Sequence, residues 1–485
     1  MESIIGRTFE KEELQEAYDS KRAELIAIYG RRRIGKTYLI RNFFKAKKSV
    51  YFQITGVYQG ALETQLARFA KAIGETFYYG ATLQPPVSWM EAFEQLTKAI
   101  ALVPKNKKVV VFFDELPWLA TRKSGILSAL EYFWNCYWSD DKRLKIIVCG
   151  SAASWIIKNI IKNRGGLHNR VTRKLRLLAF NLKETYGYLK HMGYAYNFQQ
   201  CLKLYMVMGG IPFYLNNLKK SYSIDQNVDR LFFNSTGLFF NEFDEIFSSL
   251  FDNSKQYKDL VMLISKHKSG ISRKMLDESG VLSGRGGRLS QRLEDLEDAG
   301  FITSYTPFAH KKLGTFYRIS DEYCYFYLKW IEPIKAKLEQ ENTTAWKRVL
   351  NTPEYFGWLG YVFENVCYKN IVSIKKALYI DETALTSPWS YRPRKGSAEL
   401  GAQIDLLFDR ADNAITLCEI KYSDQPFVID KKYSEILQQK VRVFKEKTRA
   451  KKQLFLALIT ANGVKNNMYA EALLNGSVKL EDFFK

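Results

Sequence analysis

The first strong apolar signal is Glu24-Leu25-Ile26-Ala27-Ile28-Tyr29, a run too short for a helix and closed by Gly30. A glycine-bounded turn leads to Gly35, after which Leu39, Ile40, Phe43 and Phe44 recur at helical spacing. This predicts strand, loop and helix start. A continuous apolar run returns at 109–113, further strand-like runs at 49–54 and 144–149, and apolar helical faces at 62–73 and 89–102. Runs without alternation suit strands buried on both faces, so strand alternating with helix predicts an α/β domain around a parallel sheet.

After residue 180 the pattern turns helical. Residues 178–185 begin a helical segment, and Gly209, Gly210 and Pro212 interrupt it, as residues that break helices do. Short helices are predicted at 257–266, 272–278 and 285–299, followed by two ribbons at 301–305 and 315–319. Three helices and a β-ribbon make a winged helix-turn-helix. Arg285, Arg288 and Arg292 stand at i, i+3 and i+7, on one face, opposite a core stripe of Leu289, Leu293 and Leu296. These arginines are expected to be exposed and to bind DNA; a module that only packs between domains is the competing reading. Residues 323–330 read as buried aromatic helix, and 335–348 as a charged link. A hairpin then follows, 403–408 and 414–421, with a helix at 434–445 and a strand at 453–459 completing an α/β unit. The expected domains are 1–180, 181–254, 255–335 and 336–485.

Gly30 to Thr37 fits G-x-x-x-x-G-K-(S/T) in a strand-before, helix-after context. Gly30, Arg31, Arg32, Arg33, Ile34 and Gly35 would wrap backbone N–H groups around a polyphosphate at the positive end of the following helix. Lys36 would reach the β- and γ-phosphates of ATP, and Thr37 would ligate Mg²⁺. The run at 109–113 ends in Asp114 and Glu115, which would hold the Mg²⁺ shell and polarise the attacking water respectively. A chance glycine turn and a solvated strand end are the plainer accounts of each piece taken singly.

Composition sharpens this picture at three points. The chain of 485 residues exceeds what one core usually holds, and its 46% hydrophobic content allows sizeable cores. The net charge of +22 favours a polyanionic partner, nucleic acid before an anionic membrane. Six cysteines lack any C-x-x-C and four histidines stand far apart, so neither zinc nor a disulfide framework is indicated. No run is long enough to span a bilayer and no signal peptide opens the chain, which predicts a cytoplasmic protein. The basic, glycine-containing stretch 159–173 reads as a loop, and Arg170 or Arg173 is the candidate to reach the γ-phosphate of a neighbouring subunit in a homo-oligomer. A solvated basic loop is the alternative.

Ile4-Ile5-Gly6-Arg7 before an acidic helix, with Phe113-Asp114-Glu115-Leu116-Pro117-Trp118-Leu119, resembles the AAA+ proteins of the STAND and archaeal-ATPase type. The resemblance implies that the backbone near Ile4 and Ile5 touches the adenine. It also implies that Ser151 senses the γ-phosphate and that Pro212, in Gly210-Ile211-Pro212, lies over the nucleotide. The usual lid arginine of AAA+ motors has no clear counterpart.

In the last domain, alternation places Glu419 and Lys421 on one face, where Asp405 of the partner strand can join them. Two carboxylates would bind Mg²⁺ and Lys421 would orient the attacking hydroxide in phosphodiester cleavage. The pattern resembles the PD-(D/E)XK nuclease fold, which implies that Glu364 belongs to the same site on a preceding helix. Gln403-Ile404-Asp405 stands where a literal Pro-Asp is usual. A surface Glu–Lys pair is the plainer reading of the triplet. The expected function is an ATP-hydrolysing, DNA-binding protein whose nucleotide state controls a Mg²⁺-dependent nuclease-like domain. The alternative is an ATP-switched DNA-binding or scaffold protein whose nuclease fold no longer cuts.

Overall fold

The computed structural model describes residues 4–121, 123–162, 165–167, 169–281, 287–308, 314–340, 345–394, 396–397 and 399–485. The chain divides into two compact units. The first comprises Met1–Ala179, Ile211–Phe213 and Glu294–Gly300; the second comprises Phe180–Gly210, Tyr214–Leu293 and Phe301–Lys485.

The first unit is built on five strands, β1 (Glu24–Tyr29), β2 (Ser49–Thr55), β3 (Lys108–Asp114), β4 (Leu144–Gly150) and β5 (Arg173–Arg176), in the order β2-β3-β4-β1-β5. Every pairing is parallel. The central strands are mostly apolar because helices cover the sheet: all seven residues of β4 are buried, Lys145 among them with its ammonium on the Ser20 and Arg22 carbonyls. Phe93, on helix Trp89–Ala101, meets the rings of Phe69, Trp89, Phe113, Phe133 and Trp138 in this core. Truncating so enclosed a ring to Ala would cost about 3–5 kcal/mol. The sheet order sets up the chemistry, since β1 and β3 both flank β4 and all three strands end on the same edge.

One expectation is corrected here. Arg173 does not lie in a loop: it opens β5, and its guanidinium is bound to Glu13 at 2.8 Å and Glu16 at 3.2 Å. The backbone ladder to Ile26–Tyr29 makes this strand, with only Leu175 as apolar content.

In the second unit, helices Ser254–Ser265 and Arg273–Glu278, with helix Gly287–Asp298 as far as Leu293, accompany an antiparallel sheet of β6 (Ile271–Ser272), β7 (Ile302–Tyr305) and β8 (Phe316–Ile319), ordered β6-β8-β7. Helix Glu322–Trp330 is buried along most of its length. The stretch expected to be a charged link instead includes helices Lys335–Gln340 and Ala345–Val349. The second seats the fully buried Trp346 against Phe233, Phe326 and Trp358.

The remaining strands are β9 (Leu385–Tyr391), β10 (Ala402–Asp409), β11 (Ala414–Lys421), β12 (Gln453–Thr460) and β13 (Gly476–Val478), ordered β13-β12-β11-β10-β9. Pairing is antiparallel from β9 to β11 and parallel from β11 to β13. Helix Pro353–Lys369 precedes this sheet in the chain, and helix Lys431–Thr448 places Leu437 and Phe444 in its core. Among the described residues, no helix is long and apolar enough to cross a membrane.

Candidate active sites

Gly30 and Gly35 both take positive φ, +146° and +88°, conformations that side chains rarely adopt. A Cβ on Gly30 would also lie 2.1 Å from the Leu177 carbonyl oxygen. The loop between them therefore depends on glycine at both ends. Helix Lys36–Lys45 starts at Gly35 without a side-chain cap, which leaves its first N–H groups facing the loop. Lys36 is buried, and its Nζ donates to the carbonyls of Gly30 and Arg31, each at 2.8 Å. Arg31 is buried, Arg32 is half-buried, and the guanidinium of Arg33 stacks 4.5 Å from the Phe213 ring, one residue beyond Pro212.

At the strand ends, Thr37 Oγ1 donates toward both oxygens of Asp114, at 3.0 and 3.1 Å, and Thr55 approaches the same carboxylate at 3.3 Å. Burial pushes the Asp114 carboxyl above its usual range, the Glu115 carboxylate adds to this, and Thr37, Lys36 and Thr55 draw it back. A cation would relieve both unfavourable causes, and the hard oxygen donors of Thr37 and Asp114 fit Mg²⁺. Glu115 takes φ +48°, and its Oε2 accepts from the backbone N–H and the hydroxyl of Ser151, both at 3.0 Å. Because β4 lies between β1 and β3, the residue after its end holds the carboxylate by the loop.

Arg7 is a participant that sequence reasoning left without a role. It is buried at φ +57°, and donates to the Leu178 carbonyl at 2.6 Å and the Ile34 carbonyl, inside the phosphate loop, at 3.0 Å. Ile5 is half-buried just before it, and Arg170 is exposed in a turn.

The second site lies where the first half of β10 meets the end of β11. Their pairing runs to Leu406 opposite Cys418, one step short of Asp405 and Glu419, and β10 shifts register against β9 between Ile404 and Leu407. Asp405 Oδ2 accepts from the Ile420 N–H at 3.0 Å. The two carboxylates expected to hold a metal ion differ in the partners that already engage them. Glu419 is buried, and its Oε1 is bound to Lys421 at 3.0 Å and Tyr433 at 2.9 Å, its Oε2 to Lys440 at 2.6 Å. Lys421 and Lys440 thus stand at Glu419 as internal cations. Among the described residues no group of three His, Cys, Asp or Glu is arranged to hold a metal.

The electrostatics of this cluster are polarised. Burial would raise Glu419, but Lys421 and Lys440 outweigh it and hold the carboxyl below its usual range. Burial and the Glu419 charge push Asp405 up to about 6. Burial and Asp405 push the half-buried Glu364 up to about 8, with Arg318 drawing it back. One carboxylate is therefore paired and ionised while two are held uphill, an arrangement frequent at functional sites.

The DNA-binding expectation divides. Arg285 lies outside the described residues. Arg288 is exposed, and Leu289, Leu293 and Leu296 are buried as expected. Arg292 is a correction: it turns onto helix Ser254–Ser265, bonded to Gln256 and 5.8 Å over the Tyr257 ring, because the neighbouring helix offers a partner that periodicity cannot see.

The model of a family described as an "ATPase domain predominantly from Archaea" matches residues 5–218. Residues 5–218 are thus similar to an archaeal-type ATPase domain. These limits include the phosphate loop, the β3 acids, Ser151 and Pro212. Over most of its length the chain is 24% identical, across 435 residues, to an uncharacterized protein of Methanocaldococcus jannaschii, covering 87% of this chain and 88% of that one. An uncharacterized ATP-binding protein of the same organism is 46% identical over 45 residues, 9% of this chain and 76% of that one. Among solved structures, the Walker-type ATPase of Pyrococcus abyssi is similar at 18% identity and TM-score 0.49, covering 67% of this chain and 96% of that one. The Aeropyrum pernix ORC2 protein, in ADPNP and ADP complexes, is similar at 15% identity and TM-score 0.46, covering 70% and 96%.

Tyr433 and Lys440 were also missed from sequence. They stand seven residues apart on one helix, a spacing that puts both on the face turned to Glu419.

Proposed function

We propose that this protein binds and hydrolyses ATP, binds DNA, and uses nucleotide state to control a Mg²⁺-dependent nuclease-like domain in its second unit. The observation that carries the reading is the meeting of Lys36, Thr37, Asp114, Glu115 and Ser151 at one sheet edge within an ATPase domain. In this reading the loop N–H groups and Lys36 hold the phosphates, the backbone near Ile5 touches the base, and Pro212 lies over the nucleotide. Thr37 and Asp114 would hold Mg²⁺, which would supply charge neutralisation at the phosphates. Glu115, held at Oε2 by Ser151, takes the proton from water at Oε1. Arg170 is the residue offered to a neighbouring subunit.

For the second unit, the support is the convergence of Asp405, Glu419 and Lys421 with Glu364 electrostatically coupled to them. The three helices and antiparallel sheet around Arg288 support a winged-helix reading, and the charge of +22 supports a nucleic-acid partner. A divalent ion there would supply Lewis-acid activation of the phosphodiester. The second reading, an ATP-switched DNA-binding protein that does not cut, is favoured by the saturation of Glu419 by Lys421, Lys440 and Tyr433.

One experiment separates them. The full chain is incubated with single-stranded, duplex and branched DNA in Mg²⁺ or Mn²⁺, with and without ATP, beside Lys36→Ala and Asp405→Ala. Cleavage lost in Asp405→Ala, and no longer ATP-responsive in Lys36→Ala, supports the first reading. No cleavage by the wild type in any condition leaves the second.

A further inference from the structure

Arg318 belongs to β8 of the small three-stranded sheet, yet its guanidinium lies 3.4 Å over the ring of Tyr368, on the helix that carries Glu364. Tyr305 flanks it at 5.4 Å. Tyr368 in turn donates its hydroxyl to the backbone carbonyl of Asp405, so the surface on which Arg318 stacks is fixed to the strand of the carboxylate cluster.

The side chain is 7% exposed. Among the described residues its guanidinium makes no hydrogen bond or ion pair, and its Nε is enclosed without any partner. An arginine carries five donors, and an enclosed donor left unmade costs free energy comparable to a lost hydrogen bond. Arginines at buried positions are normally matched by a carboxylate, a carbonyl or an anion. Here the planar group is held by aromatic stacking alone, with its hydrogen-bonding edges uncommitted.

We infer that Arg318 is an anion-binding residue that grips a backbone phosphate of nucleic acid at the Asp405–Glu419 cluster, and so belongs to that site although a separate sheet supplies it. The fork matches two oxygens of a phosphate or of a carboxylate equally, and two further observations choose the phosphodiester. Lys421 stands at the same cluster as a second cation, and Arg318 acts electrostatically on Glu364. The chain's surplus of positive charge also favours a polyanion. The inference rests on the phosphodiester reading of this site but not on cleavage.

The test uses the full chain and a fluorescent 12-base-pair duplex in EDTA, so that binding is read without any reaction. Arg318→Ala should bind about tenfold to hundredfold more weakly, and lower the log–log salt slope by about 0.9, the loss of one phosphate contact. Arg318→Lys keeps the charge and loses the fork; it should keep the slope and still weaken binding. Asp405→Ala should tighten binding by removing a repelling carboxylate beside the phosphate. Unchanged affinity and slope in Arg318→Ala, or no binding by the wild type, would overturn the inference. If Arg318→Ala melts below the assay temperature, Arg318→Lys decides, and wild-type affinity in that variant overturns the inference. A parallel incubation with Mn²⁺ keeps the two claims apart. A lowered slope with no cleavage leaves Arg318 a phosphate ligand and removes the nuclease; cleavage with an unchanged slope does the reverse.

Discussion

Replacing Glu115 by Gln tests the proton-accepting role proposed for it. The amide keeps an oxygen that can accept from Ser151 N and Oγ, the two 3.0 Å bonds that orient the side chain, so position and packing survive. What is lost is a basic oxygen toward water. General-base contributions are about 10²–10⁴ in rate, which at about 1.36 kcal/mol per tenfold is roughly 2.7–5.4 kcal/mol of transition-state stabilisation. Nucleotide affinity should stay within about threefold of wild type, because Lys36 and the loop are untouched. Ser151→Ala is the graded companion. It removes one of two bonds to Oε2 and leaves the backbone N–H, so about 1.5 kcal/mol, roughly a tenfold fall in kcat, is expected. Phosphate release under steady state, beside titration of a fluorescent ATP analogue, reads both quantities. Glu115→Gln hydrolysing ATP at the wild-type rate would refute the assignment, and a Ser151→Ala defect larger than that of Glu115→Gln would refute the orienting role.

Arg7→Ala deprives two carbonyls, those of Leu178 and Ile34, of a charged donor; about 2–4 kcal/mol of destabilisation and weaker ATP binding should follow, read by thermal melting and titration. Arg288→Ala should weaken DNA binding and lower its salt slope by about 0.9, whereas Arg292→Ala should chiefly lower thermal stability, since Arg292 is spent on Gln256 and Tyr257; a DNA-binding defect confined to Arg292→Ala would reverse these roles. Glu364 has its folded pKa raised from 4.5 to about 8, so the folded state binds its proton more tightly than the unfolded chain does. That stabilisation is complete below pH 4.5 and is lost as pH rises to about 8. Without divalent ions, wild-type melting temperature should therefore fall more steeply between pH 5 and 8 than that of Glu364→Gln, and parallel curves would contradict the assignment.

The chain's legible parts are those where one residue's neighbours in sequence also decide its surroundings. β1 to β4 stand out because strands covered on both faces are mostly apolar, and the glycines of the phosphate loop because side chains rarely take their φ angles. β5 escaped because Arg173-Lys174-Leu175-Arg176 has one buried side chain and exists through its ladder to β1. Trp346 escaped because a lone tryptophan among charges reads as a linker until Phe233, Phe326 and Trp358 enclose it. Asp405, Glu419 and Lys421 were readable from alternation along a hairpin. Their neutralisation by Lys440 was not, since that lysine lies nineteen positions past Lys421 and arrives by packing of helix Lys431–Thr448.

The backbone of the ATPase domain shows the same division between local rule and tertiary compulsion. Arg7, Arg33 and Glu115 all hold positive φ, at 57°, 71° and 48°, without being glycine. Each such conformation costs about 1–2 kcal/mol and persists only when contacts fix it. Those contacts are present: Arg7 is tied to Leu178 and Ile34, Arg33 stacks on Phe213, and Glu115 is held by Ser151. Local preference alone would relax all three and turn their side chains elsewhere. Lys36 is poised in a related way, its ammonium satisfied by the Gly30 and Arg31 carbonyls of its own loop, so no buried charge is stranded when phosphate is absent. A polyphosphate then has only to outcompete two neutral carbonyls for a lysine already in position, inside a loop whose shape has been fixed by contacts made during folding.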